Sequence, residues 1–498
     1  MSRRAVCGAF ATLAGAIVFP PVLRAADRFG PAQDFSWDWL VRQARTLAAQ
    51  SYRAPALSQR PAENYDAAVR LTYGKAERIA GNIRLFPTTR DVASHPVAIH
   101  ILSQGKARLL VDSTGLFVDG QAADVAGFRI MQDLSQGEAE RDWLAFLGAS
   151  YFRSSGASGQ YGLSARAVAV NIGLQTREEF PAFTQFWIEQ LGPAHYRIYA
   201  LLDGPSVSGA FSCDSTLDAG GVEQQIRIAL FARQDIERLG LVPITSMFWY
   251  DQGHREKQPD WRPEIHDSDG LALDLANGER VWRPLVNPPG AQVNAFEAAG
   301  MRGFGLLQRD RNFASYQDDS AFYDRRPNLW VEPQGDWGAG AVMLYEMPTS
   351  SETIDNIGAF WVGAQPLRKG QRLERAYRLR WTSADPTGAG IAQLVDRFAG
   401  AAGIPGAPPV AGAQKYVFDF EGKNLAGLTR DSGVVAVTNL PDGALMHAAA
   451  YPVVGQDNRW RAMIDVKTAQ AGMREFRIYL RRGNDALSET VIQPLELS

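Results

Sequence analysis

The rhythm of apolar and polar positions along this chain changes once, near its start. In "FSWDWLVRQARTLAAQ", Phe35 to Gln50, apolar residues recur at helical spacing, which predicts an amphipathic helix. Beyond it the helical rhythm fades and short alternating runs take over. "AVRLTYG", "HPVAIHIL", "KARLLVDS", "GLFVDG", "SARAVAVNIGL", "HYRIYALLDG", "EQQIRIALFAR", "GAGAVMLYEMP" and "ERAYRLRWTS" are bounded by Gly, Asp or Ser and read as strands. So many short strands without a fixed-period repeat predict an all-β chain, a large sandwich rather than a propeller.

The alternation breaks at "DPTGAGIAQLVDRFAGAAGIPGAPPVAGAQ", a stretch rich in Gly, Ala and Pro. Residues 386–414 read as an interdomain linker, with one helical-looking piece from Ile391 to Phe398. Residues 415–498 alternate again and suit one small immunoglobulin-like sandwich. Residues 27–385 are then the large domain.

The opening, "MSRRAVCGAFATLAGAIVFPPVLRAAD", follows neither rhythm. Arg3 and Arg4 precede an uncharged apolar run, and small residues follow at Ala25 and Ala26. That order is a secretory signal over residues 1–26, and the paired arginines point to the twin-arginine type. Gly15, Pro20 and Pro21 in the run argue against a permanent anchor. Cys7 falls in the signal, so the mature chain keeps Cys213 alone. An intrachain disulfide and a cysteine metal cage are thereby excluded. Export without disulfides points to a bacterial periplasm. The net charge of −3 gives no footing for nucleic acid.

Ionisable residues gather in three places: "RPEIHDSDGL", with His266, Asp267 and Asp269; "YEMPTSSETIDNIGAFW", with Glu346, Glu352 and Asp355; and "LLQRDRNFASYQDDSAFYDRRPNLWVEP", with Arg309 and Tyr323. Hydrolysis of a glycosidic bond needs a carboxylic acid for the leaving oxygen and, with inversion, a carboxylate for the attacking water. Aromatic faces stack on sugar rings, and Tyr316, Tyr323, Trp330, Trp337 and Trp361 accompany these acids. Each loop alone reads first as turn chemistry on a solvated face. Other chemistries fit less well. Asp267 and Asp269 lack the partners of a calcium loop, the remaining histidines are scattered, and Ser164 lacks a nucleophile elbow. Gly303 and Gly305 in "GFGLL" lack the dinucleotide fingerprint and read as turn-formers. No metal or cofactor is expected. Trp187 reads as a core residue.

These stretches also resemble a family. "FLGASYFR", "YGLSARAVAV", "ALLDGPSVSGAF", "PITSMFWY", "RPEIHDSDGL", "WRPLVNP", "GFGLLQRDRNFASYQD", "RRPNLWVEP" and "DNIGAFW" resemble, in order, the periplasmic glucan biosynthesis proteins G and D. The twin-arginine start leans towards D. The resemblance implies a galactose-mutarotase-like sandwich followed by an immunoglobulin-like domain, acting on β-1,2-glucan as an inverting hydrolase. Asp355 of the D-N-I element would be the general acid and Asp267 the general base. Tyr323 and Glu352 match site-lining positions, and His266 and Asp269 would orient the water or close the loop. Arg309 and Trp337 join them as substrate-binding candidates, and Arg262 is expected to pair with Glu264. The chain departs from the family's pattern at Ile354, at Gly358 and in "DQGHREKQPD". Two other activities stay open: a β-1,2-glucan transglycosylase, and a non-catalytic factor that binds glucan beside a membrane glucan synthase.

Overall fold

The computed structural model describes residues 28–57, 77–89, 93–118, 120, 122–132, 140–258, 260–388, 390–404, 406 and 408–495. The expected signal and the run "AVRLTYG" lie outside the described residues. The first predicted element forms as a helix over Trp37–Ala48. Ser36 caps it by accepting a 3.2 Å hydrogen bond from the Trp39 amide. Its apolar stripe, Leu40, Val41 and Ala44, packs on Trp187, Tyr199, Ala210 and Phe231 of the sheet beneath. Among the described residues no helix is long and apolar enough to cross a membrane.

Nearly everything else is strand, so the all-β expectation holds. The described strands gather mainly into a sixteen-stranded and a ten-stranded sheet, largely antiparallel. Alternation drives their stacking: each strand turns one set of side chains inward. Phe186 and Phe211 of the larger sheet meet Phe128 and Phe152 of the smaller, with ring centroids 5.1 and 5.8 Å apart. These rings belong to one continuous apolar core between the sheets. Cys213 lies within it, and burial pushes its thiol up to about 12.

Three local expectations change. In "GLFVDG" residues 115–118 form a turn rather than a strand, and Leu116 and Phe117 are buried, because the apolar pair faces the core without a strand partner. Ile391 to Phe398 is not helical: Gln393–Ala401 is a strand paired with Ala413–Glu421 in a separate four-stranded sheet. Gly303 and Gly305 sit inside the strand Met301–Leu307 rather than in a turn. A Cβ on Gly303 would lie 2.3 Å from the Trp330 indole, so the glycine is there for close approach.

The C-terminal strands are not a free appendage. Thr490–Pro494 continues the sixteen-stranded sheet by pairing in parallel with Arg280–Pro284. A second apolar core joins Trp282, Leu307 and Trp330 to Tyr416, Phe418, Phe476 and Ile478. Ion pairs cross the same boundary: Arg397 with Asp251 at 2.5 Å, Arg309 with Glu489 at 2.6 Å, and Arg283 with Glu475 at 2.7 Å.

Arg283 also holds Glu346 at 3.0 Å, and both side chains are fully buried. Removing one partner strands the other charge in a low-dielectric interior. Arg283→Met is therefore expected to lower unfolding stability by about 3–5 kcal/mol. Urea unfolding would show it as a lower midpoint at unchanged slope, and a midpoint equal to wild type would refute it.

Candidate active site

Two segments from different sheets meet at the acids. Phe248–Tyr250 and Ile265–His266 pair as a short hairpin, with Phe248 opposite His266. The chain then passes through Asp267, Ser268 and Asp269 into the strand Gly270–Leu275 of the larger sheet. Asp355 lies just before Ile357–Gly363, a strand of the smaller sheet. Asn356 locks the two together. Its carbonyl accepts from the Phe248 amide at 2.8 Å, and its NH2 donates to the carbonyls of Phe248 and Met347 at 3.0 and 2.9 Å. The Asp267 amide donates to Met247 O at 2.8 Å, and the hydroxyls of Ser268 and Ser246 lie 2.9 Å apart.

Asp267 is 3% exposed. Burial pushes its carboxyl up to about 6, against the Arg326 guanidinium, which pairs with it and holds it down. The charge of Asp355 adds to the upward push, so the two carboxyls feel each other. Asp355 is open to solvent on one side and crowded by protein on the others. That desolvation raises its pKa, opposed by a 3.3 Å hydrogen bond from Thr245 Oγ1 and by Arg153, Arg166 and Arg326.

Arg153 and Arg166 stand on one sheet face, while Arg326 comes from the turn that carries Tyr323. Tyr151 and Arg153 share a strand, Arg166 lies opposite Tyr151, and Thr245 lies opposite Ser164 and Gly358. The Arg166 guanidinium sits over the rings of Tyr151 and Phe180, at 5.0 and 4.9 Å. Arg153 covers Tyr161 at 4.5 Å. A Cβ on Gly358 would meet only Tyr345, at 3.7 Å, so this glycine leaves the sheet face open beside Thr245. Ile354, the other departure, is 52% exposed.

Tyr323 is carried by a tight turn entered through Phe322, whose φ of 49° is a costly conformation for an aromatic residue. Its hydroxyl donates to Glu352 at 2.5 Å, and Arg326 lies 4.3 Å over its ring. Glu352 in turn takes two hydrogen bonds from Arg262, at 2.9 and 3.2 Å. Arg262 also pairs with Asp260 and Asp318, not with Glu264 as expected, because the chain turns it towards the Tyr323 loop.

Glu264 belongs to His266 instead. The buried imidazole places Nε2 at 3.2 Å from Glu264 and 3.7 Å from Asp269. Its Nδ1 is 3.0 Å from Gln308 Oε1, an orientation set by the Gln308 NH2, which donates to the carbonyls of His266 and Tyr323. Both ring nitrogens thus face acceptors. Burial disfavours the charge, yet Glu264, Asp269 and Asp251 outweigh it, and the pKa rises to about 9. His266 is an imidazolium that steadies the Asp267 loop.

The structure brings Asp355, Asp267, Tyr323, Glu352, His266 and Asp269 into one neighbourhood. Trp337 does not join them, and Arg309 touches the group only through its backbone amide, which donates to Asp269, while its side chain points elsewhere. Arg309 is taken up by Glu489, Asp385 and the face of Trp282, 3.7 Å from its guanidinium carbon. Trp337 is buried against Trp361 and Tyr377 and donates to Ala376 O at 3.1 Å. Tyr316, Trp330 and Trp361 are buried too, so none of them offers a stacking face. Arg326, Arg153, Arg166 and Asn356 carry no role in the sequence reading. They stand in "RRPNLWVEP", "FLGASYFR", "YGLSARAVAV" and "DNIGAFW", so the resemblance held the signal for them. Among the described residues no group of three or more His, Cys, Asp or Glu converges as metal ligands.

Residues 35–495 match the family model described as "Periplasmic glucan biosynthesis protein, MdoG". The chain is similar to the probable glucans biosynthesis protein D of Shewanella oneidensis, 39% identical over 92% of this chain and 88% of that one. It is similar also to glucans biosynthesis protein D 2 of Ralstonia nicotianae, 38% identical over 96% and 94% of the two chains. A solved galactose mutarotase related enzyme from Lactobacillus acidophilus aligns with 58% of this chain and 98% of its own, at 10% identity and a TM-score of 0.24, a likeness too low to carry an argument. With nearly its whole length matched, this chain belongs to the periplasmic glucan biosynthesis protein (MdoG) family.

Proposed function

We propose that this chain is a periplasmic glycoside hydrolase that cleaves β-1,2-linked glucan with inversion. One observation carries the reading: Asp355 and Asp267 arrive on different segments at one place, close enough for the charge of Asp355 to reach Asp267, and burial raises both carboxyls from their ordinary value. A site that only binds sugar has no use for two such groups. The relatives' names support a glucan as the substrate, and the family resemblance supports the β-1,2 linkage.

In this reading Asp355 enters the reaction protonated and gives its proton to the glycosidic oxygen. Water attacks the anomeric carbon from the opposite face, and its proton passes to Asp267, directly or through a short relay. The Arg326 guanidinium keeps Asp267 ionised until then. Tyr323 and Glu352 line the same cleft, and Arg166, Arg153 and Tyr151 offer donors and ring faces to sugar hydroxyls and sugar planes. Residues 27–385 are the catalytic domain, residues 415–498 the immunoglobulin-like one, and a membrane glucan synthase would supply the polymer. The same pair of acids would serve a sugar hydroxyl in place of water, which is transglycosylation.

Three outcomes follow. Asp355→Asn removes the acid while keeping shape. Cleavage of linear β-1,2-glucan should fall by roughly 10²–10⁴-fold with glucan binding retained, read by product sizing and a binding isotherm. A variant that cleaves at the wild-type rate refutes the assignment, and cyclic or rearranged products from wild type move the activity to transglycosylation. Arg326→Gln removes the charge that holds Asp267 down, so Asp267 should ionise at higher pH. The acid limb of kcat/KM, expected near 6, then moves up; an unmoved limb argues against Asp267 as base. Arg166→Gln takes a charged donor from the cleft and should raise KM about tenfold at little change in kcat, consistent with about 1.5 kcal/mol for such a hydrogen bond.

A further inference from the structure

Among the groups that link the C-terminal part of the chain to the catalytic loop is one buried side chain. Glu489 stands just before the strand Thr490–Pro494 and is 2% exposed. Its two oxygens grip Arg309 at 2.6 and 3.0 Å, and one of them also accepts the Leu394 amide at 2.8 Å. Arg309 is pressed on the Trp282 face and touches Asp385 at 3.2 Å. It therefore has no conformational freedom of its own. Its backbone amide, with that of Asp310, donates to one oxygen of Asp269. The other oxygen of Asp269 faces His266 Nε2. Asp269 is further tied by its own amide to Leu307 O at 2.8 Å, and Leu307 belongs to the apolar core shared with the C-terminal strands.

We propose that Glu489 is a positioning residue for the catalytic loop, acting through Arg309 and Asp269 on His266 and the neighbouring Asp267. This rests on the hydrolase reading for its effect on rate, but not for its effect on the imidazole. The direction of action is set by geometry. Arg309 places the two amides that aim Asp269, and Asp269 aims at the imidazolium together with Glu264, while Gln308, Phe248 and Tyr316 enclose the ring on its other sides. Loosening Arg309 rotates the Asp269 carboxylate away from His266 and lets the 267–269 loop shift. A displacement of the base by a fraction of an ångström costs rate far more than affinity. The catalytic loop is thus built from both parts of the chain, and the C-terminal strands are its backstop.

The test uses the full mature chain with Glu489→Gln, which keeps shape and removes the charge. A second variant, Arg309→Lys, keeps the charge but loses the two-pronged grip. Two readouts are taken in each: kcat and KM on linear β-1,2-glucan, and the ¹H–¹⁵N resonances of the His266 imidazole across pH. Thermal unfolding is recorded alongside. The expected result is a kcat lowered by roughly ten- to a hundredfold at unchanged KM, in folded protein, with the His266 resonances displaced and its titration moved to lower pH. Glu489→Asp, which restores the charge, should recover part of the rate. A kcat within twofold of wild type, or a lowered kcat with the imidazole resonances unmoved, overturns the proposal. Absence of cleavage by wild type would instead sink the hydrolase reading, and the imidazole spectra would then decide the positioning role by themselves.

Discussion

The site depends on the side-chain amide of Asn356. It bonds to the backbone of Phe248 in both directions and to Met347 as well. Phe248 is paired with His266, so the clamp fixes the hairpin that leads to Asp267 against the strand that follows Asp355. These segments belong to different layers, and nothing in local propensity would hold them at a set separation. A buried amide with its polar atoms satisfied does so, because any slip leaves donors and acceptors unpaired in a medium that cannot solvate them. The D-N-I element is therefore a unit: the aspartate meets the cleft, the asparagine sets where it stands, and the isoleucine anchors it in the core.

Around that clamp, buried charges occur in matched sets. Asp267 has Arg326; His266 has Glu264 and Asp269; Arg262 has Asp260, Asp318 and Glu352. Such pairs add little net stability compared with apolar packing, but they penalise every alternative arrangement severely. Their value here is geometric. The same logic operates at the C-terminal boundary, where Arg283, Arg309 and Arg397 each meet a carboxylate on the other side. Asp355 is different in kind. It has a hydroxyl and several arginines nearby but no ion pair among the described residues.

Much of this is legible in the sequence alone. Alternation named the strands because a half-buried strand cannot hide its period of two. The helix at Phe35–Gln50 was legible from its stripe. The H-D-S-D-G and D-N-I elements stood out because acids are rare beside strongly apolar runs. Misreadings share one cause. Trp337, Trp330 and Trp361 looked like sugar-stacking faces, yet an aromatic beside a charged loop points inward as readily as outward, and pleat register decides which. Arg309 sits among acids in the sequence, but its partners are Asp385 and Glu489, far along the chain. Ile391 to Phe398 has helix-like spacing in isolation and becomes a strand because an edge was waiting for it in the C-terminal sheet.

By itself, then, the sequence determined the all-β class, the family, and the two aspartates in their motifs, because each is written in local pattern or in ordered runs of identical residues. Only the tertiary structure decided which arginine serves which acid, which aromatic rings face the cleft, and how far the C-terminal strands reach into the site. Most of those are contacts between residues tens to hundreds of positions apart. They follow from how two twisted sheets stack and where a few buried polar groups find partners, and no window of sequence contains both ends of such a contact.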